Sequence, residues 1–243
     1  MIGPVSPAPA VRPQAVPVPG VRPVWTYAIL AATCLVFLGQ WTLGDSFTYY
    51  GLKIDALIRQ GETWRFVTPI FFHGGLIHLF FNMYALYNIG PRIERPLGYD
   101  LFLVVYLYSG VAGVAASFVM TPDNSLGASG AIFGLIGSLA VFLYRHSRLF
   151  GSIGRSMLYN VIFIIVINLA ISNLPGIDIW GHIGGLAAGV LITWVLGPVY
   201  AIAVDPFTGI PTAVNTNSSL RRLPVILLCL LPLGLAALWL TAR

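Results

Sequence analysis

The chain has 243 residues, 13 Lys+Arg against 8 Asp+Glu, a formal charge of +5 and a charged fraction of only 9%. Soluble domains carry about 25% charged residues, whereas here hydrophobic residues make up 57% and the mean hydropathy is +0.84. That excludes an ordinary soluble enzyme and predicts a polytopic membrane protein; the cations, scattered singly and in pairs, also exclude a nucleic-acid-binding face.

Residues 1–23 are proline-rich, from Pro4 to Pro23, and are expected to form a disordered cytoplasmic tail, neither helix nor signal peptide. Seven apolar segments follow, at about 24–43, 76–90, 101–120, 129–144, 157–173, 180–197 and 224–240. Each is predicted to be a membrane helix, because backbone polar groups in lipid must be satisfied internally. Residues 44–75 form a long loop loaded with aromatic residues, including Tyr49, Tyr50, Trp64 and Phe66, which suits a segment lying in the interface. Residues 198–223, with Pro206, Gly209 and Pro211, read as a flexible cytoplasmic loop. Cys34 and Cys229 lie inside apolar stretches, in no disulfide framework and no metal-ligand spacing, so no cofactor or metal is expected.

Placing the N-terminus in the cytoplasm puts nine Lys/Arg inside and four outside, and leaves the short outer loops 121–128 and 174–179 without any. The positive-inside rule therefore predicts an N-terminus in and a C-terminus out.

Strongly polar residues inside a spanning helix are functional candidates because their burial is costly. Here they are Ser129, His182, His78, Asn82 and Asn88. Ser129 opens the segment at 129–144, where free N–H groups and the positive dipole end suit a developing negative charge; alone, it reads equally as a helix cap. Gly130, Gly134 and Ser138 on that segment match Gly181, Gly185 and Gly189 on the sixth, two ridges of small residues along which membrane helices approach closely. If those ridges face each other, Ser129 and His182 meet side by side, as a hydroxyl and an imidazole that together make an activated nucleophile. His78 and Asn82, four apart, share a helix face and can donate hydrogen bonds to an oxyanion, or serve only to hold helices together. Asp178 and Asp123 are the acids nearest in sequence. Both read as loop residues, so the expectation is a Ser–His dyad without a carboxylate.

These residues resemble the rhomboid family of intramembrane serine proteases, over about residues 24–197. Gly127-Ala128-Ser129-Gly130 matches the family's GxSG, and His78 to Asn82 its HxxxN. Gly181-His182 with Gly185 and Gly189 matches its histidine helix, Trp64-Arg65 its WR pair, and Gly90 to Glu94 its GxxxE. The segment at 224–240 makes the chain look like a six-plus-one member. The resemblance implies an all-α membrane bundle with a six-helix core and a seventh C-terminal helix. It implies Ser129 as nucleophile, His182 as general base, and His78, Asn82 and the Ser129 N–H as oxyanion donors. Trp64, Arg65 and Glu94 are then structural. Many members carry an aromatic four residues after the serine, stacked on the histidine and often Tyr; here it is Phe133.

The expected function is serine endopeptidase action on single-spanning membrane proteins, near the outer face of the cell membrane, where a weak substrate helix unwinds. The expected partners are the lipid bilayer and such substrates, with no nucleic acid. The alternatives are a catalytically inactive relative that binds transmembrane segments, a transporter, and a membrane scaffold. The absence of Asp, Glu, Lys or Arg from the apolar segments as bounded here argues against ion coupling.

Overall fold

The computed structural model describes residues 18–204, 206–207 and 209–217. Their fold is helical: α1 Val24–Leu43, α2 Asp45–Gly51, α3 Asp55–Arg59, α4 Leu76–Leu97, α5 Tyr99–Met120, α6 Ser129–Arg145, α7 Ser147–Ile171 and α8 Ile179–Leu196. Two 3-10 turns, Thr63–Phe66 and Thr68–Phe71, lie between α3 and α4. An antiparallel hairpin of β1 Tyr200–Val204 and β2 Pro211–Asn215 follows α8. The predicted seventh helix and Cys229 lie outside the described residues.

Four of these helices, α1, α5, α7 and α8, are long and apolar enough to cross a membrane. The helix α6 is apolar but has only 17 residues. The helix α4 has 22 residues but carries Arg92, Glu94 and Arg95 near its end.

The centre of the bundle is α6, packed on α8 and α5, with α8 also packed on α5. The glycine ridges explain the packing. A Cβ placed on Gly185 would strike the Gly130 carbonyl, and one on Gly189 the Gly134 carbonyl. The seam therefore exists only because these positions lack side chains, and close backbone approach replaces the hydrophobic drive that lipid removes. One turn further on, Thr193 Oγ1 donates to Ser138 Oγ at 2.6 Å, closing the seam with a buried hydrogen bond.

The helix α1 turns its polar stripe inward. Its buried residues are Thr26, Ile29, Thr33 and Gln40, while Leu35, Leu38 and Trp41 face outward. At its start, the fully buried Glu94 of α4 accepts from the Trp25 and Thr26 N–H groups at 2.8 Å and from Thr26 Oγ1 at 2.6 Å. A carboxylate on the orphan donors of a helix N-terminus is a charge-assisted cap. It needs α4 to run beyond the predicted stop near Gly90, through Pro91 and Pro96, to Leu97. At the end of its run, α1 is held by Gln40, whose amide brackets the His73 backbone with two 3.0 Å bonds.

Two sequence expectations are corrected here. The end of the proline-rich segment is docked: the Val21 N–H donates to the Arg95 carbonyl at 3.1 Å, and Val18 packs on the core. The 198–223 loop contains an ordered hairpin, tethered where Tyr200 N–H donates to His146 Nε2 at 2.9 Å and its hydroxyl to the Pro96 carbonyl at 3.0 Å. Burial lowers the pKa of His146, which keeps that ring neutral and able to accept.

Candidate active site

The starts of α4, α6 and α8 and the end of α7 converge at one end of the bundle. Ser129 is the first residue of α6. The N-cap is Ala128, which makes no side-chain cap bond, and Ser129 Oγ is not a cap either: it lies 2.7 Å from His182 Nε2. Phe133, one turn along α6, stacks on the imidazole with ring centroids 4.4 Å apart and planes 18° apart. His182 is only 8% exposed, so its ring is mostly enclosed by protein.

The other ring nitrogen was not assigned a partner by sequence reasoning. His182 Nδ1 lies 2.6 Å from Ser172 Oγ, at the C-cap of α7. Asp178, the acid four residues before His182, has a different task. It is the N-cap of α8 and accepts from Gly181 N–H at 2.8 Å. Asp123 accepts from Thr121 Oγ1 at 2.9 Å in its own loop. Nothing in the sequence flagged Ser172, a lone hydroxyl at the margin of an apolar run on a different helix.

His78 reaches the same place from α4. Its Nδ1 accepts from Gly74 N–H at 3.3 Å, which leaves Nε2 as the protonated nitrogen of the neutral ring. That nitrogen faces Gly127: a Cβ there would lie 2.9 Å from it. Gly127 also has φ +135°, which L side chains rarely adopt, so both space and backbone require glycine. Asn82 donates one amide hydrogen to the His78 carbonyl at 2.9 Å, a bond within α4 rather than between helices. The second Nδ2 hydrogen is a further donor by valence.

The loop that carries Gly127 is held by the long first loop. Lys53, completely buried, donates to the Thr121 and Asp123 carbonyls at 2.8 Å and pairs with Asp55 at 2.9 Å. Its main chain bridges Ser125, and Gly127 N–H donates to the Pro69 carbonyl at 2.8 Å. Arg65 is buried too, donating to Glu62 at 2.6 Å and to the Tyr49 and Leu52 carbonyls at 2.6 and 2.7 Å. Trp64 stacks on Tyr50. The Trp-Arg pair thus braces the first loop and stays out of the site. His73 Nε2 faces the Ala128 N–H at 3.5 Å. Burial, with neighbouring His78 adding to it, lowers the His73 pKa to about 4, so this ring is an acceptor at neutral pH.

A cavity of about 1500 Å³ opens onto Ser129, His182, His78 and Asn82, walled by α4 on one side and α7 on the other. Among the described residues, no group of three His, Cys, Asp or Glu is placed to hold a metal ion. A hydroxyl paired with an imidazole, with N–H donors beside it, is an arrangement for acyl transfer.

The Rhomboid domain model matches residues 60–199, more than half of the chain. The chain belongs to the rhomboid family. It is 42% identical over 185 residues to the rhomboid protease GluP of Bacillus subtilis, covering 72% of this chain and 35% of GluP. It is 33% identical over 175 residues to the putative rhomboid protease YdcA of the same organism, covering 71% of this chain and 82% of YdcA. RHOMBOID-like protein 4 of Arabidopsis thaliana is 35% identical over 150 residues, covering 61% of this chain and 38% of that protein. The chain spans about a third of the length of GluP and of that plant relative. Rhomboid membership and the apolar helices make it an integral, multi-pass membrane protein of a protease family.

Proposed function

We propose that the chain is an intramembrane serine endopeptidase that cuts single-spanning membrane proteins. The observation that carries this reading is the 2.7 Å approach of Ser129 Oγ to His182 Nε2, on the floor of a cavity walled by two helices. His182 takes the Ser129 proton as Oγ attacks a peptide carbonyl, and the oxyanion is met by His78 Nε2–H, the Asn82 amide and the Ser129 N–H. His182 then protonates the departing amine, and water, activated by the same ring, releases the acyl group from Ser129.

Cavity size supports a chain-like substrate. Small-molecule sites run to about 300–1000 Å³, and this one is about 1500 Å³. A helical substrate hides its carbonyls, so the chain cut is one whose helix is weakened by Gly, Pro or polar residues near the site. The Lys/Arg asymmetry favours an N-terminus in the cytoplasm of a cell whose plasma membrane holds the protein, with the site toward the outer face.

The test is labelling of the full chain in detergent with a serine-reactive fluorophosphonate, together with cleavage of a reconstituted transmembrane substrate. Labelling is expected in the wild type and absent from Ser129→Ala. Turnover is expected to vanish in His182→Ala and to fall partly in Asn82→Ala. Labelling that survives Ser129→Ala sinks the nucleophile, and undiminished turnover in His182→Ala sinks the base. A wild type that binds transmembrane peptides but neither labels nor cleaves them is the inactive relative instead.

A further inference from the structure

The proton inventory around Ser172 decides what it does. Ser172 Oγ lies 2.6 Å from the Asn168 carbonyl and 2.6 Å from His182 Nδ1. A hydroxyl has one proton, and a carbonyl can only accept. If the Ser172 proton pointed at the imidazole, two oxygens would face each other at 2.6 Å with no hydrogen between them. The proton therefore goes to Asn168, and the Ser172 lone pair must receive the Nδ1–H of His182. With Nδ1 protonated, the neutral ring presents its lone pair at Nε2, toward Ser129.

We propose that Ser172 is the positioning residue that fixes the tautomer of His182 and supports the imidazolium formed during attack. The inference rests on the protease reading of Ser129 and His182. Ser172 is buried, 2% exposed, and its own N–H also donates to the Asn168 carbonyl at 2.9 Å. That carbonyl belongs to the last turn of α7, at the negative end of the helix dipole. Oriented carbonyl charge, relayed through one hydroxyl, thus does for His182 what a carboxylate does in a three-residue triad. Asp178, the acid nearest to His182 in sequence, is held at the Gly181 N–H instead.

When Ser129 attacks, its proton moves to Nε2, and the ring then carries hydrogens on both nitrogens. Nδ1–H still donates to Ser172, whose proton stays with Asn168. The proton count closes without a further acceptor, and Ser172 is never itself ionised.

The test compares Ser172→Val with Ser172→Thr, two side chains of one size that differ in the hydroxyl, each as full chain in proteoliposomes. The substrate is a single-spanning peptide with a glycine-rich outer half. Valine is expected to lower kcat roughly tenfold or more with KM unchanged, as for loss of a hydrogen bond to a charged group, and threonine to restore it. In the nitrogen-15 spectrum of histidine-labelled wild type, the His182 ring should carry its hydrogen on Nδ1. That pattern should be lost in Ser172→Val and kept in Ser172→Thr. A valine variant as fast as the threonine variant, or a wild-type ring with its hydrogen on Nε2, overturns the assignment. The spectrum of the wild type alone decides the matter if the valine variant does not fold. Fluorophosphonate labelling separates the two readings. Wild type that labels at Ser129 while Ser172→Val keeps full turnover removes only the role of Ser172, whereas wild type that fails to label removes the dyad itself.

Discussion

Phe133 covers the face of His182, its ring centroid 4.4 Å from the imidazole centroid and its plane turned by 18°. The ring excludes water from that face and limits how far the imidazole can swing away from Ser129. Stacked pairs contribute about 0.5–1.5 kcal/mol beyond area burial. Phe133→Ala is expected to lower kcat by roughly threefold to tenfold, and Phe133→Tyr, which keeps the ring, to leave it near wild type. Equal rates for the alanine and tyrosine variants in a cleavage assay would show that the stack has no part in turnover.

Glu94 is fully buried and serves three donors at the start of α1. Glu94→Ala leaves the Trp25 and Thr26 N–H groups without that partner and is expected to cost about 2–4 kcal/mol of stability. Glu94→Gln, which keeps an acceptor, should cost less. Denaturant titration in detergent micelles measures both, and an alanine variant as resistant as wild type contradicts the capping role.

Lys53→Met removes a buried ammonium of nearly the same length and strands two carbonyls and Asp55. The expected loss of stability is about 3–5 kcal/mol. The loop it clamps carries Gly127 and leads directly into Ser129, so kcat should also fall in the fraction that remains folded. Limited proteolysis should find a new cut within 121–126 in the variant; protection equal to wild type there means that the clamp is dispensable.

Gly185→Ala adds one methyl at the Gly130 carbonyl. Because backbone cannot yield as a side chain can, the helices must separate, and the expected cost is about 2–3 kcal/mol or more. The neighbouring Ile183, 37% exposed, should tolerate alanine within about 0.5 kcal/mol. Thermal melts that rank the two variants the other way would mean that α6 and α8 do not meet along this seam.

His73 gives the protein an acid limit. Its pKa is about 4 in the fold against 6.5 in an open chain. Between those values the unfolded chain binds the extra proton, so stability falls as pH drops from about 6.5 and levels off below about 4. The full swing is at most about 3 kcal/mol. His73→Gln cannot titrate, and its melting temperature should fall less steeply over that window than wild type. Parallel curves would assign the acid sensitivity to other groups.

Much of this was legible in the sequence because membrane burial is written in residue type. The start and end of α1 follow from apolarity alone, and the glycine spacing of α6 and α8, once the two ridges face each other, puts Ser129 beside His182. What escaped has physical reasons. The passage of α4 through Pro91 and Pro96 is stabilised by Glu94, whose partners lie 68 and 69 residues away. The extra length of α7, which begins at Ser147 rather than near 157, includes a break at Gly151 with φ +58° that apolarity does not mark. The hairpin hid because Pro206, Gly209 and Pro211 read as loop, and the run from Tyr200 to Val204 is apolar throughout, without the polar alternation that marks a half-buried strand. Ser172 was invisible because the feature that matters, a proton shared between two helices, has no sequence period.

The glycine seam has a consequence for how the molecule answers its surroundings. Where main chains touch, there is no side-chain cushion to compress. When a thicker or thinner lipid phase imposes hydrophobic mismatch, α6 and α8 must lean together as one rigid wedge. The separation of alcohol and imidazole is thereby insulated from lipid composition, and the burden of accommodation falls on the peripheral helices, above all α7, whose buried residues are only Gly154 and Val161.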